Sequence, residues 1–404
     1  SGFAEMGEEG RTMQDELHDV VHETGIRVLG PNCLGAASVR SGVMATFSSN
    51  FLGALPEPGS IAIISQSGAF GAHLYSLARG RGIGLSHWLT TGNEVDITVA
   101  ECLDFLVDQP EVNTIMVYAE GINDGEGLRC ALEKAQQAAK PIIFLKVGRT
   151  EVGAEAAKSH TASIAVSDVV IDALFNQYGV YRANTTDEMM DIAYAAQMGV
   201  FPKGLKLGIL SISGGVGVQM ADLAIKYGLE VPAIPKQVQQ KIRSILPFAG
   251  VRNPVDITAA AMEDPSLIPI VHEILLNETE CDMVATFLTP ASGDHGTADI
   301  LLPMFEKVKQ QQPNKAIALN IIMPMDVAKL YEDRGLTVFD TPDRAVAALA
   351  GLAKFRESFL WNKIKVKDAL LSGTKSDLAK ATNEVNAKQI LAASGMAVVR
   401  EFLA

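Results

Sequence analysis

The strongest constraint on how this chain folds is an internal repeat offset by 146 residues. IAIISQSGAFGAHLYSLARGRGI (61–83) aligns without a gap on LGILSISGGVGVQMADLAIKYGL (207–229). Ser65, Ser67, Gly68, Gly71, Leu77, Ala78 and Gly82 meet Ser211, Ser213, Gly214, Gly217, Leu223, Ala224 and Gly228. Further on, GNEVDIT (92–98) resembles RNPVDIT (252–258), with Asn93, Val95 and Asp96 on Asn253, Val255 and Asp256. Any two α/β domains share strand–turn–helix grammar, but a second motif in the same order favours duplication of a whole domain.

The pattern between the repeats is short β-branched runs alternating with helical stretches, which predicts α/β domains built on doubly wound parallel sheets. Strands are expected at 61–65, 114–119, 141–147, 206–211, 283–288 and 315–321, and helices at 73–81, 99–106, 127–138, 216–227 and 301–310. Four segments follow: 1–45, the tail of one domain; 58–200 and 205–360, the two repeat units; and 363–404, a polar linker with the start of something else. The chain opens without an initiator Met, in what reads as the end of a loop, so a piece of a larger protein is expected.

Composition matters mainly for what it excludes. A net charge of −13 argues against nucleic acid as the main partner, while leaving local phosphate binding open. No run of about 18 apolar residues reads as a membrane span, and the acidic residues 1–10 lack the apolar core of a signal peptide. Cys33, Cys102, Cys130 and Cys281 show neither C-x-x-C spacing nor nearby histidine pairs. No structural metal site or disulfide framework is therefore expected, and a cytoplasmic setting is.

Three motifs carry chemistry. Ser-x-Ser-Gly occurs twice, with Ser67, Gly68 and Ala69 in the first copy and Ser213, Gly214 and Gly215 in the second. Each follows an apolar strand and opens a helix, so free backbone N–H groups and the positive end of the helix dipole meet at one point, a phosphate site. Either copy alone reads equally as a plain N-cap; two copies in a duplicated pair suit two helix ends aimed at one phosphate.

The second motif is KSHTASIA (158–165), which places His160 in a small-residue loop after the strand PIIFLKVG. Open α/β sheets bind ligands at that end, and neutral imidazole is a competent nucleophile toward phosphorus. Ser159 and Thr161 flank it as hydroxyl donors and Lys158 offsets phosphate charge. His18, His22, His87, His272 and His295 carry no such context, and His73 falls in a helix body. The third motif is Glu120 in VYAEGI, at the end of another strand of the same unit. It reads either as a solvated strand-end glutamate or as the carboxylate that fixes the tautomer of an attacking imidazole.

GPNCLG (30–35), SQSGAFG (65–71), TGNEVDIT (91–98), YAEG (118–121), AAKSHTASIA (156–165) and NPVDIT (253–258) stand in the order and register of a known family. The chain resembles the ADP-forming acetyl-CoA synthetases, relatives of succinyl-CoA synthetase, over nearly its whole length. The resemblance implies tandem flavodoxin-like, Rossmann-like domains acting as an acid–CoA ligase on a carboxylate, CoA and ATP/ADP. It implies catalytic roles for His160, the phosphorylated residue, and for Glu120, which orients it, with the helices at Gly68 and Gly214 cradling the phosphohistidine. Asn32 and Cys33 match the loop near the CoA thiol and the acyl phosphate. By the same resemblance, residues 1–45 end a CoA-binding Rossmann-like domain. Residues 378–402 then match the lead-in helix and first strand of an ATP-grasp domain, whose remainder would bring Mg2+. A homo-oligomer, a dimer, is expected, with neither nucleic acid nor membrane as partner. Ala162 departs from the family's usual Gly, a conservative change. Two alternatives stay open: a CoA- or acyl-CoA-sensing module of a protein lysine acetyltransferase, and a synthetase coupled to acyl-CoA lysis.

Overall fold

A computed structural model describes residues 2–53, 55–150, 152–153, 155, 168–361 and 384–393. Residues 1–359 pack as one unit and 360–404 as another. Helix α1 (Glu8–Thr24) precedes a hairpin of β1 (Gly35–Ser38) and β2 (Val43–Thr46). Then come β3 (Pro58–Ser65), α2 (Gly68–Gly80), β4 (Leu85–Thr90), α3 (Val99–Asp108) and β5 (Thr114–Ala119). The first repeat unit closes with α4 (Gly125–Gln137), β6 (Ile142–Lys146), α5 (Asp168–Tyr178), β7 (Tyr181–Arg182) and α6 (Thr186–Ala196).

The second unit begins with β8 (Leu207–Ser211), α7 (Gly214–Lys226), α8 (Lys236–Ile245) and β9 (Val255–Asp256). It continues through α9 (Leu267–Glu278), β10 (Met283–Phe287), α10 (His295–Gln311) and β11 (Ala316–Asn320). It ends with α11 (Met325–Glu332), β12 (Thr337–Phe339) and α12 (Pro342–Trp361).

The duplication is visible in the topology. The first sheet runs β2-β1-β4-β3-β5-β6-β7 and the second β12-β11-β10-β8-β9. Counting each unit's five parallel strands in chain order, both have the order 2-1-3-4-5, the flavodoxin-like doubly wound arrangement. The hairpin is an addition to the first sheet alone, β1 pairing antiparallel with β4. Ile61–Ile64 of β3 and Leu207, Ile209 and Leu210 of β8 have no exposed surface, as expected of strands covered by helices on both faces.

The two units share a core. Met189, Met190, Ile192 and Ala193 of α6 and Val346, Leu349 and Ala353 of α12 lie in one apolar cluster with Ile63 and Trp88 of the first sheet and Ile209 of the second. Asp191 of α6, buried, is held by Arg81 after α2 at 2.9 Å and by Arg344 of α12 at 2.6 Å. A carboxylate fixed by one guanidinium from each unit locks their seam.

Among the described residues no helix is long and apolar enough to cross a membrane, and all four cysteines are free thiols. In the chain's last unit, helix α13 (Glu384–Ala393) falls within the expected lead-in helix. The strand expected after it lies outside the described residues.

Candidate active site at the carboxyl end of the first sheet

Four of the sequence-derived elements meet where β3, β4 and β5 end. Ser65 closes β3, and its Oγ donates to the Ser67 carbonyl at 2.6 Å, bending the chain into α2. Ser67 is the N-cap, its side chain accepting from Phe70 N at 3.3 Å. The second copy repeats the bend: Ser211 Oγ donates to the Ser213 carbonyl at 2.7 Å and accepts from Ser213 N at 3.0 Å. The copies then diverge. Ser213 makes no side-chain cap, and a Cβ on Gly214 would stand 2.9 Å from Asp256 Oδ2. Asp96, the counterpart of Asp256, is instead paired with Arg27 at 3.0 Å. The first helix end is therefore the less acidic of the two.

The GPNCLG loop reaches the same end. Asn93 N donates to Pro31 O at 2.9 Å, Val95 N to Gly30 O at 2.9 Å, and Leu34 N to Thr90 Oγ1 at 2.9 Å. Asn32 Nδ2 donates to Asn93 Oδ1 at 3.2 Å, and Cys33 is half-buried beside it. Two glycines make the approach possible. Gly92 has a φ of +61°, and a Cβ there would lie 2.1 Å from Pro31 O; a Cβ on Gly68 would lie 2.7 Å from Leu34 Cγ. Asn32 and Cys33 thus sit beside the amino end of α2.

Glu120 follows β5 directly and is half-buried. Tyr118, its ring tilted against Phe70 of α2 with centroids 4.1 Å apart, has its phenol pushed up to about 12 by burial and by Glu120 nearby. The segment bearing His160, with Lys158, Ser159 and Thr161, lies outside the described residues. Its anchors are β6, which pairs with β5, and α5, whose Asp168 holds Arg182 of β7.

The sequence reading missed the polar residues beneath these groups. Gln66, buried, accepts from Glu120 N at 2.7 Å and Gly121 N at 3.0 Å, and its Nε2 donates to Gly121 O and Glu94 Oε1, each at 3.0 Å. Glu94 also accepts from Thr91 Oγ1 at 2.9 Å, Val99 N at 3.1 Å and Asn123 Nδ2 at 2.9 Å. Burial pushes its pKa upward against those four hydrogen bonds. Lys146, buried at the end of β6, donates to Glu120 O at 2.7 Å and Val147 O at 2.6 Å; burial, then Arg182, lower its pKa. The available signal was the repeat itself, because Gln66 and Glu94 align with Ile212 and Pro254.

A cavity of about 640 Å³ lies elsewhere, on the seam lined by Arg81, Asp191, Met323, Met325, Phe339 and Arg344. Arg81 and Arg344 share Asp191 there and pair separately with Asp187 and Asp340.

Twin 2-1-3-4-5 sheets define a pair of flavodoxin-like domains. Accordingly, residues 58–196 match the family described as the succinyl-CoA ligase like flavodoxin domain. The chain is 34% identical over 363 residues to the ADP-forming acetate–CoA ligase II subunit alpha of Pyrococcus furiosus, covering 88% of this chain and 77% of that one. It is 29% identical over 422 residues to the ADP-forming 4-hydroxybutyrate–CoA ligase of Nitrosopumilus maritimus, covering 100% of this chain and 59% of that one. Among solved structures, acetyl-coenzyme A synthetase 1 of Ca. Korarchaeum cryptofilum, in complex with phosphate and ADP, superimposes with a TM-score of 0.78 at 29% identity, covering 91% of this chain and 79% of that one. The chain belongs to the ADP-forming acetate–CoA ligase family.

Proposed function

We propose that this chain carries the phosphohistidine of an ADP-forming acid–CoA ligase, converting ATP, a carboxylate and CoA to acyl-CoA, ADP and phosphate. One observation carries the reading: Ser67–Gly68, the Asn32–Cys33 loop and Glu120 meet at the carboxyl end of one parallel sheet, and β6, the strand that precedes residue 160 in the chain, lies parallel beside β5 and ends there too.

In this reading a His160 nitrogen attacks the γ-phosphorus of ATP and ADP departs. The carboxylate substrate then displaces the imidazole from phosphorus, giving an acyl phosphate. The CoA thiolate attacks the acyl carbon and phosphate leaves. Glu120 accepts a hydrogen bond from one imidazole nitrogen, fixing the tautomer that leaves the other free. The α2 N–H groups at Gly68 and Ala69, with the Ser67 hydroxyl, stabilise the phosphoryl group, and Ser213, Gly214 and Gly215 approach it from the second copy. Asn32 and Cys33 face the acyl phosphate and the thiol.

A covalent carrier suits two stations too far apart for direct transfer. Residues 363–404 then begin the ATP-grasp station and 1–45 end the CoA-binding domain, with the two repeat units between them. Mg2+ would accompany the nucleotide at the ATP-grasp station. A homodimer in the cytoplasm completes the reading. The relatives' names differ in their acid, acetate against 4-hydroxybutyrate, so the substrate is settled by assay. The enzyme containing this chain is incubated with ATP, CoA and a panel of carboxylates. Acyl-CoA and ADP are expected in equal amounts for one acid class; AMP formation, or no product with any acid, would refute the reading.

A further inference from the structure

Glu120 has no useful place unless its peptide is held, and two buried side chains hold it. Every backbone polar atom of Glu120 and Gly121 is occupied: both N–H groups donate to Gln66 Oε1, Gly121 O accepts from Gln66 Nε2, and Glu120 O accepts from Lys146 Nζ, all within 2.7–3.0 Å. Gln66 is itself fixed on both flanks. Its own N–H donates to Tyr118 O at 3.0 Å, its carbonyl accepts from Gly92 N at 3.1 Å, and its amide is anchored on buried Glu94. The next residue is Ser67, the cap of α2. A shift of Gln66 therefore moves the helix end and the carboxylate together.

The duplicated unit serves as an internal control. In the first sheet Ser65 lies opposite Tyr118, and Tyr118 opposite Leu145. In the second, Ser211 lies opposite Phe287, and Phe287 opposite Asn320. On this register Glu120 corresponds to Thr289 and Lys146 to Ile321, while Gln66 and Glu94 correspond to Ile212 and Pro254. The second unit keeps the serine bend and the fold but has neither the glutamine, the lysine nor either glutamate, Thr289 being the one polar counterpart. Folding this sheet does not require them, so they answer to something present in the first unit alone.

From this we infer that Gln66 and Lys146 are positioning residues for Glu120, and that Gln66 couples its placement to the phosphate-binding end of α2. This rests on the reading of Glu120 as the residue that orients His160. Removing a clamp lets the carboxylate drift by a fraction of an ångström to an ångström, a displacement that costs on the order of 100-fold in a positioned reaction. Neither clamp residue is placed against CoA or the acid, so the loss falls on kcat rather than on their KM.

The test is a double-mutant cycle in the enzyme containing this chain, reading single-turnover phosphorylation of His160 and steady-state kcat and KM. Gln66→Met and Lys146→Met are each combined with Glu120→Gln, and Lys146→Arg tests rescue. Expected are losses in kcat of about 10- to 100-fold for each single variant, unchanged KM for CoA and acid, and partial recovery in Lys146→Arg; in the Glu120→Gln background Lys146→Met brings no further loss and Gln66→Met, which also moves the α2 end, only part of its own. Losses that multiply with Glu120→Gln would make the clamp merely structural and overturn the inference. So would full activity in both Met variants while Glu120→Gln is impaired. If Glu120→Gln itself is fully active, the role of Glu120 fails first. Should Gln66→Met not fold, the Lys146 arm alone decides.

Discussion

Glu94 puts the site's scaffold to a quantitative test. Its carboxylate is buried yet takes four donors: Gln66, Thr91 and Val99 N on Oε1, and Asn123 on Oε2. Glu94→Gln keeps an oxygen for the first three, and a flip of the Asn123 amide turns its carbonyl toward the new NH2. That change should cost about 1 kcal/mol, the difference between a charge-assisted and a neutral hydrogen bond. Glu94→Leu leaves the Val99 N–H and the Thr91 hydroxyl without an acceptor in a dry interior, at about 1–3 kcal/mol each. The expected loss is then about 2–6 kcal/mol, before any term for Gln66. Urea unfolding of the two variants, followed by circular dichroism and by Trp88 fluorescence, reads the difference directly. If Glu94→Leu proves no less stable than Glu94→Gln, the network is not satisfied in the way described.

Further predictions follow from single features. His272 is fully buried between Ile268 O and Thr286 Oγ1, and burial lowers its pKa to about 4. Its unfolded form takes up a proton near pH 6.5, so stability is retained above that value and falls as pH drops toward 4, by about 2 kcal/mol at pH 5. His272→Phe combined with Thr286→Val should flatten that part of the pH–stability curve, and an unchanged slope would refute the assignment. Gly92→Ala places a side chain at positive φ and against Pro31 O. It should cost more than about 2 kcal/mol and release the Asn32–Cys33 loop, seen as faster amide exchange at Asn93 and Val95. Asp191→Ala removes the carboxylate shared by Arg81 and Arg344. The two guanidinium groups are about a quarter exposed and partly recover solvation, so a loss of about 2 kcal/mol is expected, with one calorimetric transition splitting into two.

Much of this architecture is legible in the sequence because apolar runs and repeat spacing are local. The strand expected at 114–119 has those bounds in the structure, and the others differ by one to three residues. The helices expected from 73 and 216 start earlier, at Gly68 and Gly214, because the serine bend rather than the apolar stripe sets their first turn. Strand β4 escaped notice: Ser86, His87 and Thr90 interrupt its apolar pattern, yet all three are buried. The hairpin of β1 and β2 is short and small-residued, and only β4 gives it a partner. Asn32, Cys33, Ser67 and Glu120 stand out within their motifs, whereas Gln66 and Glu94, inside the same motifs, and Lys146 do not. Their contacts form only where three strand ends lie side by side, and along the chain only the mismatch with Ile212 and Pro254 of the repeat marks two of them.

Phosphate on His160 tests the central claim most directly. The enzyme containing this chain is exposed to γ-labelled ATP, and the bound phosphate is assayed for acid lability and base stability, then mapped by peptide mass spectrometry. One acid-labile, base-stable phosphate on the 158–165 peptide, lost in His160→Ala and discharged by carboxylate plus CoA, is the predicted result. Label retained in His160→Ala, or label that carboxylate and CoA cannot discharge, would contradict it.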